Sequence, residues 1–242
     1  MSGHSKWSKI KRQKGVADVK KGKIFSQFSK MITLTAKDGG GDLSMNPALK
    51  LAVEKAKQAN MPADNIDKAI KKGTGELEGG TIEKVLYEAY GPGGIALIIE
   101  GTTDSTNRTV AEIKHILSRN NGRLGGAGSV KWMFDCFGYL EINKKELNIS
   151  ENDLEMAIID AGAEDFDLLD EVVIIYTKPE DIYKVKENLE KNNIKMSETG
   201  FEWKAKDKIK ITDEKTNKQI ERLFEELDEQ EDVEDVFSNL EE

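Results

Sequence analysis

The chain has 242 residues and a mass of 27.0 kDa, more than a single hydrophobic core usually serves, so two or three domains are expected. Its longest apolar runs, Ile95–Ile99 and Val172–Tyr176, are five residues each against the roughly 20 of a membrane span, and a single cysteine, Cys136, excludes an intrachain disulfide. Beside Cys136 stand only His4 and His115, too few soft ligands for a structural zinc site, and the net charge of −9 hides a division. Residues 1–73 hold 16 Lys/Arg against 6 Asp/Glu, whereas residues 74–242 hold 20 against 39. No apolar segment follows the basic start and position 2 is Ser, so the expectation is a cytoplasmic chain without a lipid anchor.

The N-terminal third reads as helical. Ile24, Phe25, Phe28 and Ile32 share one face of a helix that stops at Gly39-Gly40-Gly41. A second helix begins with Asn46 as cap and Pro47 in its first turn, and buries Leu49, Ala52, Val53 and Ala56. A third opens at Pro62, packs through Ile66, Ala69 and Ile70, and ends at Gly73-Thr74-Gly75. Strands follow at Val85–Tyr90 and Ile95–Gly101, joined by the turn-rich Gly91-Pro92-Gly93-Gly94. A helix then carries Val110, Ile113, Ile116 and Leu117, closed by Asn120-Asn121-Gly122, and Val130–Phe134 reads as a strand.

From Phe137 the pattern is β-α-β-β-α-β. Strands are expected at Phe137–Ile142, Glu164–Leu169, Val172–Thr177 and Met196–Lys204. The helices between them start at Ser150, with Asp153 in a capping-box position, and at Pro179. The tail adds a strand at Ile209–Thr212, a helix with Ile220, Leu223, Phe224 and Leu227 inward, and a strand at Val233–Phe237. The expected fold class is therefore a multidomain α+β chain. A basic tail and three-helix bundle occupy residues 1–79, an α/β domain is formed by 80–136 plus 205–242, and a ferredoxin-like domain, 137–204, is inserted into it.

The candidate functional residues are cations. The first 23 residues hold Lys6, Lys9, Lys11, Arg12, Lys14, Lys20, Lys21 and Lys23 against the single acid Asp18, a head suited to a polyanion although such runs are often only solvated. Trp7, inside this head, either stacks on an unpaired base or, with Ile10, tacks the tail onto the bundle. His4 either joins such a contact or is a solvated tail residue. Arg108 falls in a first helical turn, where the macrodipole disfavours a cation; this either marks an anionic contact or is an incidental placement. Arg123 adjoins the glycine-rich Gly125–Gly128 stretch, whose N–H groups could approach a phosphate; otherwise this is simply a loop.

Other motifs are set aside. Gly91-Pro92-Gly93-Gly94-Ile95-Ala96 has dinucleotide-loop spacing, but a strand rather than a helix follows it. The glycine-rich stretch lacks the Gly-Lys-Ser/Thr ending of a nucleotide-hydrolysing loop. Cys136 lies beside Trp132-Met133-Phe134 and Phe137, where a thiol is expected to be an inert core atom. Neither a catalytic constellation nor a cofactor or metal site emerges, and no small-molecule substrate or membrane partner is indicated.

Together these residues resemble the YebC/PmpR family. The resemblance rests on Gly3-His4-Ser5-Lys6-Trp7, Lys21-Gly22-Lys23-Ile24-Phe25, Gly39-Gly40-Gly41-Asp42, Ala59-Asn60-Met61-Pro62, Asp64-Asn65-Ile66 and Ala69–Gly75. Tyr90–Gly94, Asn107-Arg108-Thr109-Val110, Gly128-Ser129-Val130 and the closing Asp232-Val233, Val236 and Asn239 extend it over almost the whole chain. Cys136-Phe137 departs from it, standing where a basic residue is expected. The resemblance implies three domains, the third inserted in the second, and a non-enzymatic, DNA-binding transcriptional regulator. Similar mitochondrial proteins act as translational activators, and bacterial members are also assigned to ribosomes stalled on proline-rich nascent chains. The implied partner is DNA or ribosomal RNA.

Overall fold

The computed structural model describes residues 21–77, 82–147 and 149–241. Three helices come first: α1 (Lys21–Gly39), α2 (Pro47–Gln58) and α3 (Ala63–Thr74). They enclose Ile32, Ala36, Leu49, Ala52, Val53, Ala56, Met61, Ile66 and Ala69. Asn46 ties two of them together. Its Oδ1 accepts from the Leu49 N–H at 3.0 Å as the α2 cap, while Nδ2 donates to the Thr35 and Gly40 carbonyls, both at 2.8 Å. Helix α3 ends on Gly75 at φ 80°, whose N–H returns to the Lys71 and Lys72 carbonyls.

The first sheet has the order β3-β1-β2-β8, built from β1 (Glu83–Tyr90), β2 (Ala96–Thr103), β3 (Arg123–Leu124) and β8 (Val233–Ser238), with every neighbour antiparallel. Between β2 and β3 runs α4 (Thr106–Arg119), and α7 (Glu214–Glu229) precedes β8. Both helices cover one face, where Leu97 and Ile99 meet Ile113, Leu117, Ile220, Leu223, Phe224 and Leu227. On the other face Ala96 and Ile98 meet Val130, Phe134 and Phe237, with Trp203 and Ala205 packed against them. Burial on both faces explains why Ile95–Ile99 is apolar without alternation. Each fully buried aliphatic side chain there contributes roughly 1.5–3 kcal/mol.

The second sheet has the order β5-β6-β4-β7, from β4 (Phe134–Asn143), β5 (Asp165–Leu168), β6 (Val172–Thr177) and β7 (Glu198–Ala205). Helices α5 (Glu151–Ala161) and α6 (Ile182–Lys191) pack Leu154, Ile158, Val185 and Leu189 on Leu140, Ile142, Val173 and Ile175. Ser150 caps α5 by accepting from the Asp153 N–H at 3.2 Å.

Two expected strands are not formed. Val130–Phe134 is a one-turn 3-10 helix at Lys131–Met133, and the strand starts only at Phe134. The Val130 and Lys131 N–H groups that a ladder would need both donate to the Glu88 carboxylate at 2.7 Å. Ile209–Thr212 makes a single parallel bridge, Ile209 with Leu240, before Asp213 caps α7 and turns the chain away.

Candidate nucleic-acid interface

Of the cations expected to meet a polyanion, Lys6, Lys9, Lys11, Arg12, Lys14 and Lys20 lie outside the described residues, as do His4 and Trp7. Lys21 opens α1, and its side chain is likewise outside the described part. Lys23 corrects the expectation. Its side chain is 9% exposed, its ammonium donates to the Asp228 carbonyl, and it stands 3.8 Å from the Asp228 carboxylate. The helical face that puts Phe25 and Phe28 on the bundle core turns Lys23 towards the end of α7, where it joins the two units.

Arg108 has the anionic contact its position suggested, and the chain supplies it. Its guanidinium donates to Asp232 at 3.0 Å and to Asp104 at 3.1 Å. Asp232 is the centre of this cluster. It also accepts from Thr109 Oγ1 at 2.6 Å and Thr103 Oγ1 at 3.2 Å, and it pairs with Lys30 of α1. Burial alone would raise the Asp232 carboxyl, but hydrogen bonds from Lys30, Thr109 and Arg108 outweigh it and hold the group well below the usual carboxylate range.

The glycine-rich stretch is not open for a phosphate in the way its composition suggested. The Gly128, Val130 and Lys131 N–H groups converge on the Glu88 carboxylate at 2.5, 2.7 and 2.7 Å. The chain's own carboxylate fills the anion cradle. Burial works against the charge of Glu88, yet the three backbone donors keep its carboxyl below the ordinary value. Arg123 lies outside this cradle, its guanidinium 4.4 Å from the centre of the Tyr90 ring.

Further cations missed by the sequence reading lie on the helical unit. Lys50, Lys55 and Lys57 of α2 and Lys68 and Lys71 of α3 are exposed, and among the described residues none has a carboxylate within ion-pair distance. The charge count over residues 1–73 contains this signal, spread over helices where basic residues are less dense than in the first 23 positions. By contrast, a cleft of about 520 Å³ where α1 meets both sheets is lined by Glu198, Glu202, Asp228, Glu234 and Asp235, and it repels a polyanion.

Trp132, in the apolar run beside Cys136, is 66% exposed. Cys136 is half-buried, and burial, helped by the charge of Glu100, pushes its thiol up, away from a nucleophilic thiolate. Among the described residues no group of three or more His, Cys, Asp or Glu is placed to hold a metal ion, and no helix is long and apolar enough to cross a membrane.

These features define a mixed α/β protein with seven helices among the described residues, two antiparallel sheets and a cation-rich helical end. The chain belongs to the TACO1/YebC family: residues 5–76 match the TACO1/YebC protein N-terminal domain, and residues 82–240 match the TACO1/YebC second and third domain. It is 47% identical to a probable transcriptional regulatory protein of Halothermothrix orenii, over 99% of this chain and 95% of that one. Another so named, from Aquifex aeolicus, is 44% identical over 100% of this chain and 96% of its own. The crystal structure of a conserved hypothetical protein from Aquifex aeolicus superposes with a TM-score of 0.82 at 43% identity, covering 98% of this chain and 97% of that one.

Proposed function

We propose that the protein is a cytoplasmic, non-enzymatic regulator of gene expression that grips DNA through the phosphate backbone, using its basic N-terminal end. The observation that carries this reading is the charge division, with 16 bases against 6 acids up to residue 73 and 20 against 39 beyond it. A polyanion is attracted to one end of such a molecule and repelled by the rest. The regulatory names of the relatives support transcription as the process. Binding through the ribosome, the other reading of the resemblance, draws no support from these names.

In this reading His4, Lys6, Trp7, Lys9, Lys11, Arg12, Lys14, Lys20 and Lys21 make the primary contact, and the exposed lysines of α2 and α3 extend it. We read residues 1–79 as the binding unit and 80–136 with 205–242 as an α/β unit. Residues 137–204 are read as an inserted ferredoxin-like unit, in keeping with the second sheet's β-α-β-β-α-β succession.

The test is a salt titration of duplex binding by the full chain and by a chain lacking residues 1–20. Each neutralised phosphate contributes about −0.9 to the slope of log affinity against log salt. The deletion removes six bases, so its slope should be shallower by as much as about 5. Equal slopes for the two chains would remove the head from the interface, and no binding by the full chain at low salt would end the DNA reading.

A further inference from the structure

We propose that Trp132, held by its link to Tyr90 and flanked by Arg123, forms a stacking platform for an unpaired nucleobase, giving the protein a grip on single-stranded nucleic acid beyond the residues of its basic head. The proposal rests on the nucleic-acid reading above and adds to it a site and a strand preference.

The platform begins with an unusual choice of exposed residue. In the 3-10 turn Lys131–Met133, the flanking Val130 and Phe134 are buried at 0% and 3%, while Trp132 stands out at 66%. A turn that buries its neighbours and presents the largest side chain to water forgoes a substantial hydrophobic gain. The indole is also fixed in place. Its Nε1 donates to the Ser129 carbonyl at 3.1 Å, and the Tyr90 hydroxyl donates to that same carbonyl at 2.9 Å. One oxygen therefore satisfies the polar tips of both aromatics and ties the indole to the Tyr90 hydroxyl. The turn beneath them is held by the N–H bonds of Val130 and Lys131 to Glu88. Little conformational freedom is left to lose on binding.

Charge completes the surface. Arg123 stacks 4.4 Å from the Tyr90 ring centre, is exposed, and has no carboxylate within ion-pair distance among the described residues. Lys131, the residue before Trp132, is exposed, with its ammonium 5.1 Å from the centre of the Trp203 ring. The acid beneath the turn, Glu88, is buried with its oxygens occupied by three backbone donors, and Asp135, the first acid after Trp132 in sequence, pairs with Lys206 at 3.2 Å. A fixed, exposed indole with an exposed guanidinium on the neighbouring Tyr90 matches a nucleotide, with the base on the indole and the phosphate on the guanidinium. In a duplex the base faces are covered by their neighbours, so the platform selects unpaired strands.

The experiment compares the full chain with W132A, W132F and R123A for binding to a twelve-residue oligo-dT, the corresponding oligo-rU and a twelve-base-pair duplex at one salt concentration. Because Trp132 is exposed, circular dichroism and thermal melting should show W132A folded as the parent. W132A should weaken both single strands by about 5- to 100-fold, the range of one lost base stack, with duplex affinity unchanged. W132F should restore most of the loss. Indole quenching on adding oligo-dT should shrink in W132F. R123A should weaken the single strands and lower their salt slope by about 0.7. Equal effects on dT and rU would mean that the platform reads the base alone; an effect on rU only would make RNA its ligand. Duplex binding by the full chain with W132A indistinguishable from it on both single strands would overturn the platform and leave the head intact. If the full chain binds neither form, the nucleic-acid reading fails and takes the platform with it. Loss in W132A of a protein partner with oligonucleotide binding unchanged would make Trp132 a protein contact and also overturn the proposal.

Discussion

Asp232 shows how much one buried carboxylate can organise. It gathers Lys30 from the helical unit and Arg108, Thr109 and Thr103 from the first sheet's β2–α4 region. Its side chain is 2% exposed, so D232N leaves two cations facing a neutral amide. The expected loss is about 2–3 kcal/mol, somewhat under that of a fully buried pair because Arg108 is half in water. The cluster also sets a pH dependence. A carboxyl held below its unfolded value, near 3.9, contributes stability that is fully present above that value and is lost progressively as the pH falls below it towards the lower value of the folded state. In urea denaturation the gap between wild type and D232N should be constant from pH 7 to 5 and shrink below about pH 4. A gap of constant size down to pH 3 would contradict the assignment.

Glu88 is the second such residue, with three backbone donors on one carboxylate. E88Q keeps one acceptor oxygen and turns an amine towards a donor, so about 2 kcal/mol of stability should be lost. The loss should be local: hydrogen exchange should speed most at Gly128, Val130 and Lys131. Uniform acceleration across both sheets would show that Glu88 supports the fold as a whole and not this turn.

Among the elements, the helices were the most legible because capping and periodicity speak together. Asn46 before Pro47 and the Leu49, Ala52, Val53, Ala56 face gave α2 its start and its buried side. What remained hidden was decided by partners distant in sequence. Nothing within Val130–Phe134 announces that Glu88, about 40 residues earlier, takes its N–H groups, and the two-residue β3 exists only through its pairing with Ala89 and Tyr90. Gly73 is a related case. In the sequence it belongs to a helix stop, yet a Cβ there would lie 2.6 Å from the Ala36 Cβ and collide with the Thr33 carbonyl. Helices α1 and α3 cross closely because this position has no side chain. G73A should therefore cost about 1–3 kcal/mol, against the usual gain from replacing glycine within a helix. Thermal melting decides between them, and an unchanged or raised melting temperature would mean that the helices separate at no cost.

For the whole molecule, the charge count pointed to a cation-rich end but not to which cations are free. Lys23 belongs by sequence to the basic head and by structure to the seam with α7; further along the helical unit Lys30 pairs with Asp232, and Lys72 approaches Asp104 at 3.7 Å. A one-dimensional count cannot make that separation, since it depends on which helix face meets the sheet unit. The helical unit has its own apolar cluster, so these ion pairs join two cores that are otherwise distinct. Replacing both seam lysines, K23M with K30M, removes the charges while keeping the apolar stems. The melting profile in calorimetry should then separate into two transitions, with the helical unit unfolding first, because each core retains its packing while the coupling is lost. Polyanion affinity should change little, because neither ammonium faces solvent. A single transition in the double variant would show that apolar contacts carry the coupling. A large fall in affinity with the melting profile unchanged would return Lys23 and Lys30 to the binding surface.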